Sequence, residues 1–294
     1  MNKPRNVIAM TSFFNPFDYQ SKVVNFRTFR QHLQLPLMVV QQTFPKGRNI
    51  LSQDDADSMI QIAGGDVMFQ KERLLNIGLQ HLSDEIEFVF FLDCDVRFLD
   101  PAWFEETLEM LQTKPMVQPF AKVKRLGPGM KVLKNRQKWR DSISASIAKG
   151  EFNGETGYAW AFRRDALSGG LFDACIVGGG DHAMVGAAYG RFEKVESSLK
   201  MNAAQKAYYR SWAEPFHARI QGDVGTAAGD LYTFWHGDYR KRKYADRHEE
   251  FSIYGFDPAT DVHRQPGQCL TWATDKTEMH GYVKGYFEGR AEDD

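Results

Sequence analysis

"EFVFFLDCDVRF", residues 87–98, is the stretch on which the fold turns. An apolar run rich in Phe and Val stops abruptly at charge. That is the pattern of a central strand in a parallel sheet covered on both faces. Asp93 and Asp95 follow at its C-terminal end, around Cys94. Side chains alternate along an extended chain, so the two carboxylates are expected on one side and the cysteine on the other. In open α/β sheets the ligand crevice lies beyond the carboxyl ends of the strands. Two like charges placed there repel unless something cationic lies between them.

Working outward, "NVIAMTS" and "PLMVVQQTF" read as strands, "QKERLLNIGLQHL" and "PAWFEETLEMLQ" as helices, and "MVQPFAKV" as one further strand. Strands alternating with helices imply parallel βαβ units, and so an α/β fold with a mostly parallel central sheet flanked by helices. Asp100 is the expected N-cap of the helix after the aspartates, with Pro101 at its first position. Phe104, Leu108 and Leu111 recur at helical spacing and should face the sheet. Past residue 120 the pattern is less regular: a basic, turn-rich stretch, then "GYAWAF", "VGGGDHAM", a helical section rich in aromatics, and "LYTFWHG". With no repeat or low-complexity linker, one domain over 1–294 is expected, with halves at 1–120 and 121–294.

Composition excludes several classes. At 294 residues, 43% hydrophobic and 13% aromatic, the chain can bury a large core. Its net charge of −1 gives no bulk attraction to nucleic acid or membrane. The three cysteines are widely spaced without a CxxC, which indicates neither a disulfide framework nor a zinc site. No apolar run approaches the ~18 residues of a membrane span, and the N-terminus lacks a signal-peptide pattern. A soluble, cytoplasmic protein is the expectation.

Several side chains could carry chemistry. Hard divalent cations such as Mg²⁺ and Mn²⁺ take oxygen ligands, commonly one or two carboxylates with substrate phosphates, so Asp93 and Asp95 could join a metal to a diphosphate. Three consecutive glycines ending in Gly179 and Gly180 suit a close backbone approach, and Asp181 after them reads either as a helix cap or as an acid facing a ligand. Trp160 is either a core residue or a face on which a sugar ring stacks. "KVKRLGPGMKVLKNRQKWR", running from Lys122 to Arg140, holds eight Lys or Arg and no acid. It is either a solvated surface or a contact for an anionic acceptor.

The segment "FFLDCDVRFLDPAWF" resembles the DxD region of glycosyltransferases of the GT-A fold, and other pieces follow in matching order. "VIAMTSFFNP" is similar to the first strand and nucleotide loop, "FQKERLLNIGLQHL" to the helix before the DxD strand, "GYAWAFRRDAL" with "GLFDACIVGGGDHAM" to the galactosyltransferase-like C-terminal segment, and "FWHGDYRKRKY" to the late histidine segment. The resemblance covers most of residues 5 to 260. It implies a metal-dependent transfer, inverting in its course, from a UDP-linked sugar to an acceptor hydroxyl, in a bacterial or phage-type setting. Asp93, Asp95 and His236 would then hold Mn²⁺ or Mg²⁺, with the imidazole favouring Mn²⁺. Thr11, Ser12, Phe13, Arg73, Asn76, Gly179 and Gly180 would form the nucleotide-sugar pocket, and Asp181 would be the base. His182 and Ala183 depart from the longer acidic cluster of galactosyltransferases. The acceptor would be a glycan or a hydroxymethylated DNA base. The alternatives are a nucleotidyltransferase, against which the opening strand lacks a Gly-rich phosphate loop, and a non-catalytic carbohydrate-binding protein.

Overall fold

The computed structural model describes residues 6–132, 138–244 and 246–294. The strands in chain order are β1 Val7–Phe14, β2 Leu37–Thr43, β3 Ser58–Ala63, β4 Phe88–Leu92, β5 Val96–Phe98, β6 Met116–Gln118, β7 Lys122–Arg125, β8 Arg140–Asp141, β9 Ala159–Arg163, β10 Val224–Thr226, β11 Asp230–Thr233, β12 Val262–His263 and β13 Thr271–Trp272. The helices are α1 Gln20–His32, α2 Lys71–Leu79, α3 Trp103–Leu111, α4 Ile143–Ala148, α5 Gly180–Ala188, α6 Phe192–Ser198, α7 Ala203–Ile220, α8 Arg247–Ser252 and α9 Thr277–Glu288.

A seven-stranded sheet in the order β10-β6-β9-β4-β1-β2-β3 forms the centre. β1 runs parallel to β2 and β4, β2 to β3, and β10 to β6, while β9 is antiparallel to both its neighbours. The mostly parallel sheet flanked by helices that the sequence predicts is therefore the one the chain forms. All five residues of β4 are buried, and alternation sorts them. Phe88, Phe90 and Leu92 pack on one face with Val23, Phe26 and Phe29 of α1 and Leu111 of α3. Val89 and Phe91 pack on the other with Leu75 of α2, Ala183 of α5 and Phe216 of α7. A third cluster joins Phe14 and Val40 to α8 and α9.

Three expectations need correction. "MVQPFAKV" is two strands: β6 in the central sheet and β7 in a second, four-stranded sheet ordered β5-β11-β7-β8. The chain turns at Pro119, which supplies no N–H for a continuous ladder. The helix after the aspartates starts at Trp103, with Ala102 at its N-cap position. Asp100 instead accepts the Ala102 N–H at 2.9 Å in a local turn that precedes it. Lastly, Asp93 and Asp95 lie in the turn between β4 and β5, not on a strand. The regular period-two alternation of a strand lapses there, and Cys94 borders the cleft while packing against the cluster of β4 and α1. The unrecognised β3 is a half-exposed edge strand without a clean hydrophobic pattern.

Candidate active site

β1 and β4 are parallel neighbours, so their carboxyl ends open onto one side, where a cleft of about 470 Å³ lies. That volume suits a nucleotide-sized ligand. Ser12 and Phe13 enter it from β1, and Asp93 and Asp95 from the turn after β4. Its far wall comes from the second sheet. β5 pairs antiparallel with β11, and the Phe234 N–H donates to the Asp95 carbonyl at 2.7 Å. This register sets His236, two residues on, beside Asp95.

His236 Nδ1 lies buried 2.7 Å from Asp95 Oδ2. Burial and then the Arg242 guanidinium hold the imidazole below its usual pKa, against the pull of Asp95, so it is neutral in its ligating form. Burial would raise Asp95, but His236, Arg242 and Lys22 outweigh it and keep the carboxyl below its ordinary value. A carboxylate and an imidazole thus meet at one edge of the cleft, and both are groups that can bind a divalent cation.

Asp93 is held differently. Its Oδ1 is 2.7 Å from Lys71 Nζ, and its Oδ2 accepts the Tyr158 N–H at 3.1 Å. Tyr158 adopts φ 79°, a left-handed conformation uncommon for a bulky residue, at the point where the chain enters β9 beside Asp93. Burial pushes the Asp93 carboxyl up to about 6, with Lys71 opposing and Asp181 and Asp95 adding to the rise.

Lys71 Nζ also donates to both oxygens of Asp181, at 3.0 and 2.9 Å. Its side chain is only 14% exposed. Burial alone would lower this lysine, but Asp181 and Asp93 outweigh that and raise it well above its ordinary value. Sequence reasoning passed over Lys71 in favour of Arg73 and Asn76 on the same helix. The signal that could have found it is position: a helix that follows a parallel strand starts at the carboxyl edge, so its first residue meets the crevice.

Asp181 sits in the first turn of α5, whose N-cap is Gly179, so it is not itself the cap. Gly178 and Gly179 have φ of 92° and 104°, which only glycine adopts freely. Gly179 lines the cleft, whereas Gly180 packs against Glu72: a Cβ there would come within 2.1 Å of Glu72 Oε1. Glu72 is buried with that oxygen unpartnered, and burial pushes its carboxyl up to about 8, with Lys71 opposing.

Besides Gly180, four of the expected pocket residues lie outside the cleft. Arg73 is about 200° around the helix from Lys71, and its guanidinium bonds the Gln265 and Gln268 carbonyls and pairs with Asp173 at 3.5 Å. Asn76 bonds both the N–H and the carbonyl of Leu171. Thr11 is buried within β1. Trp160 is 2% exposed, packed in the core, and its indole N–H donates to the Thr156 carbonyl at 2.8 Å, leaving no face for a sugar. Of the basic stretch, residues 133–137 lie outside the described residues. Arg125 and Arg140 reach the cleft, and both are ion-paired with Glu155, at 3.0 and 2.7 Å.

Beside His236 stands a cationic wall that no sequence motif signals. Glu292, 1% exposed, is surrounded by Lys22 at 3.4 Å, Arg242 at 3.1 Å and Arg290 at 2.6 Å. Three cations around one carboxylate leave net positive charge facing the cleft, and Nε of both arginines lacks a partner.

No family model matches the sequence, and no curated protein matches it. Among solved structures the chain is similar to glucosyl-3-phosphoglycerate synthase from Mycobacterium tuberculosis in complex with uridine diphosphate, at 12% identity over 92% of this chain and 88% of that chain, with TM-score 0.47. It is similar to the catalytic domain of Drosophila β1,4-galactosyltransferase 7 in complex with xylobiose, at 12% identity over 94% and 98%, TM-score 0.38. It is also similar to 4-diphosphocytidyl-2C-methyl-D-erythritol synthase from Anaerococcus prevotii, at 13% identity over 76% and 86%, TM-score 0.37.

Proposed function

We propose that the protein is a glycosyltransferase that moves a sugar from a nucleoside diphosphate, UDP in the first instance, to an acceptor hydroxyl with a divalent cation bound in the cleft. The observation that carries this reading is the Asp95–His236 pair, a carboxylate and an imidazole 2.7 Å apart in the cleft beside the Lys71, Asp93 and Asp181 cluster. Among the described residues no three His, Cys, Asp or Glu side chains gather to hold a metal by themselves. The remaining ligands would come from the diphosphate and water, as is usual for Mg²⁺ and Mn²⁺. A carboxylate with an imidazole suits Mn²⁺ better than Mg²⁺. When bound, the metal supplies Lewis-acid stabilisation of charge on the departing diphosphate.

The chain's own residues do the rest. Lys22, Arg242 and Arg290 set positive charge beside that diphosphate, and Ser12 and Phe13 border the nucleotide. Asp181 takes the proton of the acceptor hydroxyl, within hydrogen-bond reach in the bound complex. The acceptor oxygen bonds the anomeric carbon as the bond to phosphate breaks, with the electron pair leaving on the diphosphate. Attack from the face opposite the leaving group inverts the anomeric centre. Asp93 belongs to the Lys71 cluster in this reading, and Asp95 is the aspartate that meets the metal.

The test is nucleotide release from a panel of UDP-, GDP-, dTDP- and CMP-sugars with Mn²⁺ or with EDTA, with the anomer of the product read by NMR. Mn²⁺-dependent release of one nucleotide with inversion supports the reading. Pyrophosphate-dependent exchange of a sugar nucleotide would replace it with a nucleotidyltransferase.

A further inference from the structure

We infer that Lys71 is a positioning residue of this reaction: its ammonium holds the Asp181 carboxylate at the reacting position and ties it to Asp93. The inference rests on the transferase reading above and goes beyond it by assigning a residue that neither the DxD pattern nor the glycine turn indicates.

The geometry accounts for every donor the lysine has. An ammonium carries three N–H groups, and three carboxylate oxygens stand within reach: Asp93 Oδ1 at 2.7 Å and Asp181 Oδ1 and Oδ2 at 3.0 and 2.9 Å. The two aspartates come from different halves of the chain, one after β4 and one in α5, and Lys71 on the first turn of α2 is what joins them. Two carboxylates this close in a partly buried place repel each other, so without the cation one would turn away. Gly157 keeps the space beside both open: a Cβ there would stand 3.2 Å from Asp181 Oδ2 and 3.9 Å from Asp93 Oδ2. In the transfer step Lys71 keeps all its protons. Asp181 receives the hydroxyl proton, and Lys71 fixes where it does so, which matters because a misplacement of about 1 Å can lower a rate about 10²-fold.

The experiment uses the donor that the wild-type protein hydrolyses best in the panel, with water as acceptor and Mn²⁺ present. Rates are expressed per nucleotide–Mn²⁺ binding site titrated in each variant, so loss of folded protein does not enter. Lys71→Met is expected to lower kcat about 10²-fold while KM for the donor changes less than about threefold. Lys71→Arg, which keeps a charge between the aspartates, should recover about tenfold of that loss. The double variant Lys71→Met with Asp181→Asn should be no slower than Asp181→Asn alone, since a residue acting through another adds nothing once that other is gone.

Losses that multiply in the double variant, a rise in KM with kcat unchanged, or full activity in Lys71→Met each overturn the inference while leaving the transferase reading intact. If Lys71→Met does not fold, the same cycle built on Lys71→Arg decides it. A wild-type protein that hydrolyses no donor overturns the transferase reading, and the role of Lys71 with it.

Discussion

At the scale of single residues, the two aspartates of the turn have different partners. Asp95 faces a neutral imidazole, and Asp93 faces an ammonium. Replacing Asp95 with Asn, or His236 with Ala, should weaken Mn²⁺ binding at least about tenfold, whereas Asp93→Asn should leave it within about threefold; equilibrium metal titration checks this. The pair was legible because a charged end to a buried strand is a strong signal. What each partner would be was not, because Lys71 and His236 lie 22 residues before Asp93 and 141 residues after Asp95 in the chain. Arg73 and Asn76 were misplaced for a related reason: a helical segment shows which residues share a face, not which end meets the site. Glu72 gives a second prediction. Its folded carboxyl sits near 8 against an ordinary 4.5, so the folded state binds the extra proton between those values, and stability from this group falls as pH rises through that window. Glu72→Gln, which stays neutral, should therefore flatten the decline in Tm between pH 5 and 8 and raise Tm at pH 8 by about 2–4 °C. Thermal melts across that range read it directly.

At the scale of elements, the glycine turn before α5 is the part with least tolerance. Gly180→Ala places a Cβ within 2.1 Å of Glu72 Oε1, between two buried elements with little room to move. A loss of about 1–3 kcal/mol is expected in denaturant unfolding, and the displaced α5 start should lower the hydrolysis rate more than it lowers nucleotide affinity. A cost confined to stability would show that the turn does not position Asp181. The alternating first half, from β1 to α3, could be read because its strands are buried on both faces and its helices carry one apolar stripe. β3 escaped notice as an exposed edge, and the single strand expected over "MVQPFAKV" split because a sequence pattern carries no information about which sheet a short strand joins. The second sheet shapes the candidate site, since the pairing of β5 with β11 is what brings His236 to Asp95. Nothing in local composition announces a pairing between segments this far apart.

At the scale of the whole molecule, the segment after α9 returns to the cleft. Tyr19 donates to the Glu288 carbonyl at 2.9 Å, Asp293 accepts from the Gln20 and Ser21 N–H groups, and the Trp235 indole donates to the Asp294 carbonyl. These bonds hold Glu292 among its three cations. Burial would raise this carboxyl, but Arg290, Lys22 and Arg242 hold it far below its ordinary 4.5. Its contribution to stability is therefore present above about pH 4.5 and lost as pH falls below that value, the opposite direction from Glu72. Glu292→Gln leaves buried Arg290 and half-buried Arg242 and Lys22 without their shared counter-charge and should destabilise the fold by about 3 kcal/mol at pH 7, measured by urea unfolding. The overall α/β architecture was legible from the rhythm of strands and helices, but the closure by residues 290–294 was not, because ion pairs between residues distant in sequence leave no periodic trace.

In the proposed function the Asp95–His236 pair and the neighbouring cations hold a divalent metal together with a nucleoside diphosphate. Calorimetric titration of UDP into the protein, with Mn²⁺ and separately with EDTA, for the wild type and His236→Ala, tests it most directly. The wild type should bind UDP at least about tenfold more tightly with Mn²⁺ than with EDTA, and His236→Ala should lose that difference. Equal affinity with and without Mn²⁺ in the wild type, or an undiminished metal effect in His236→Ala, would contradict the account.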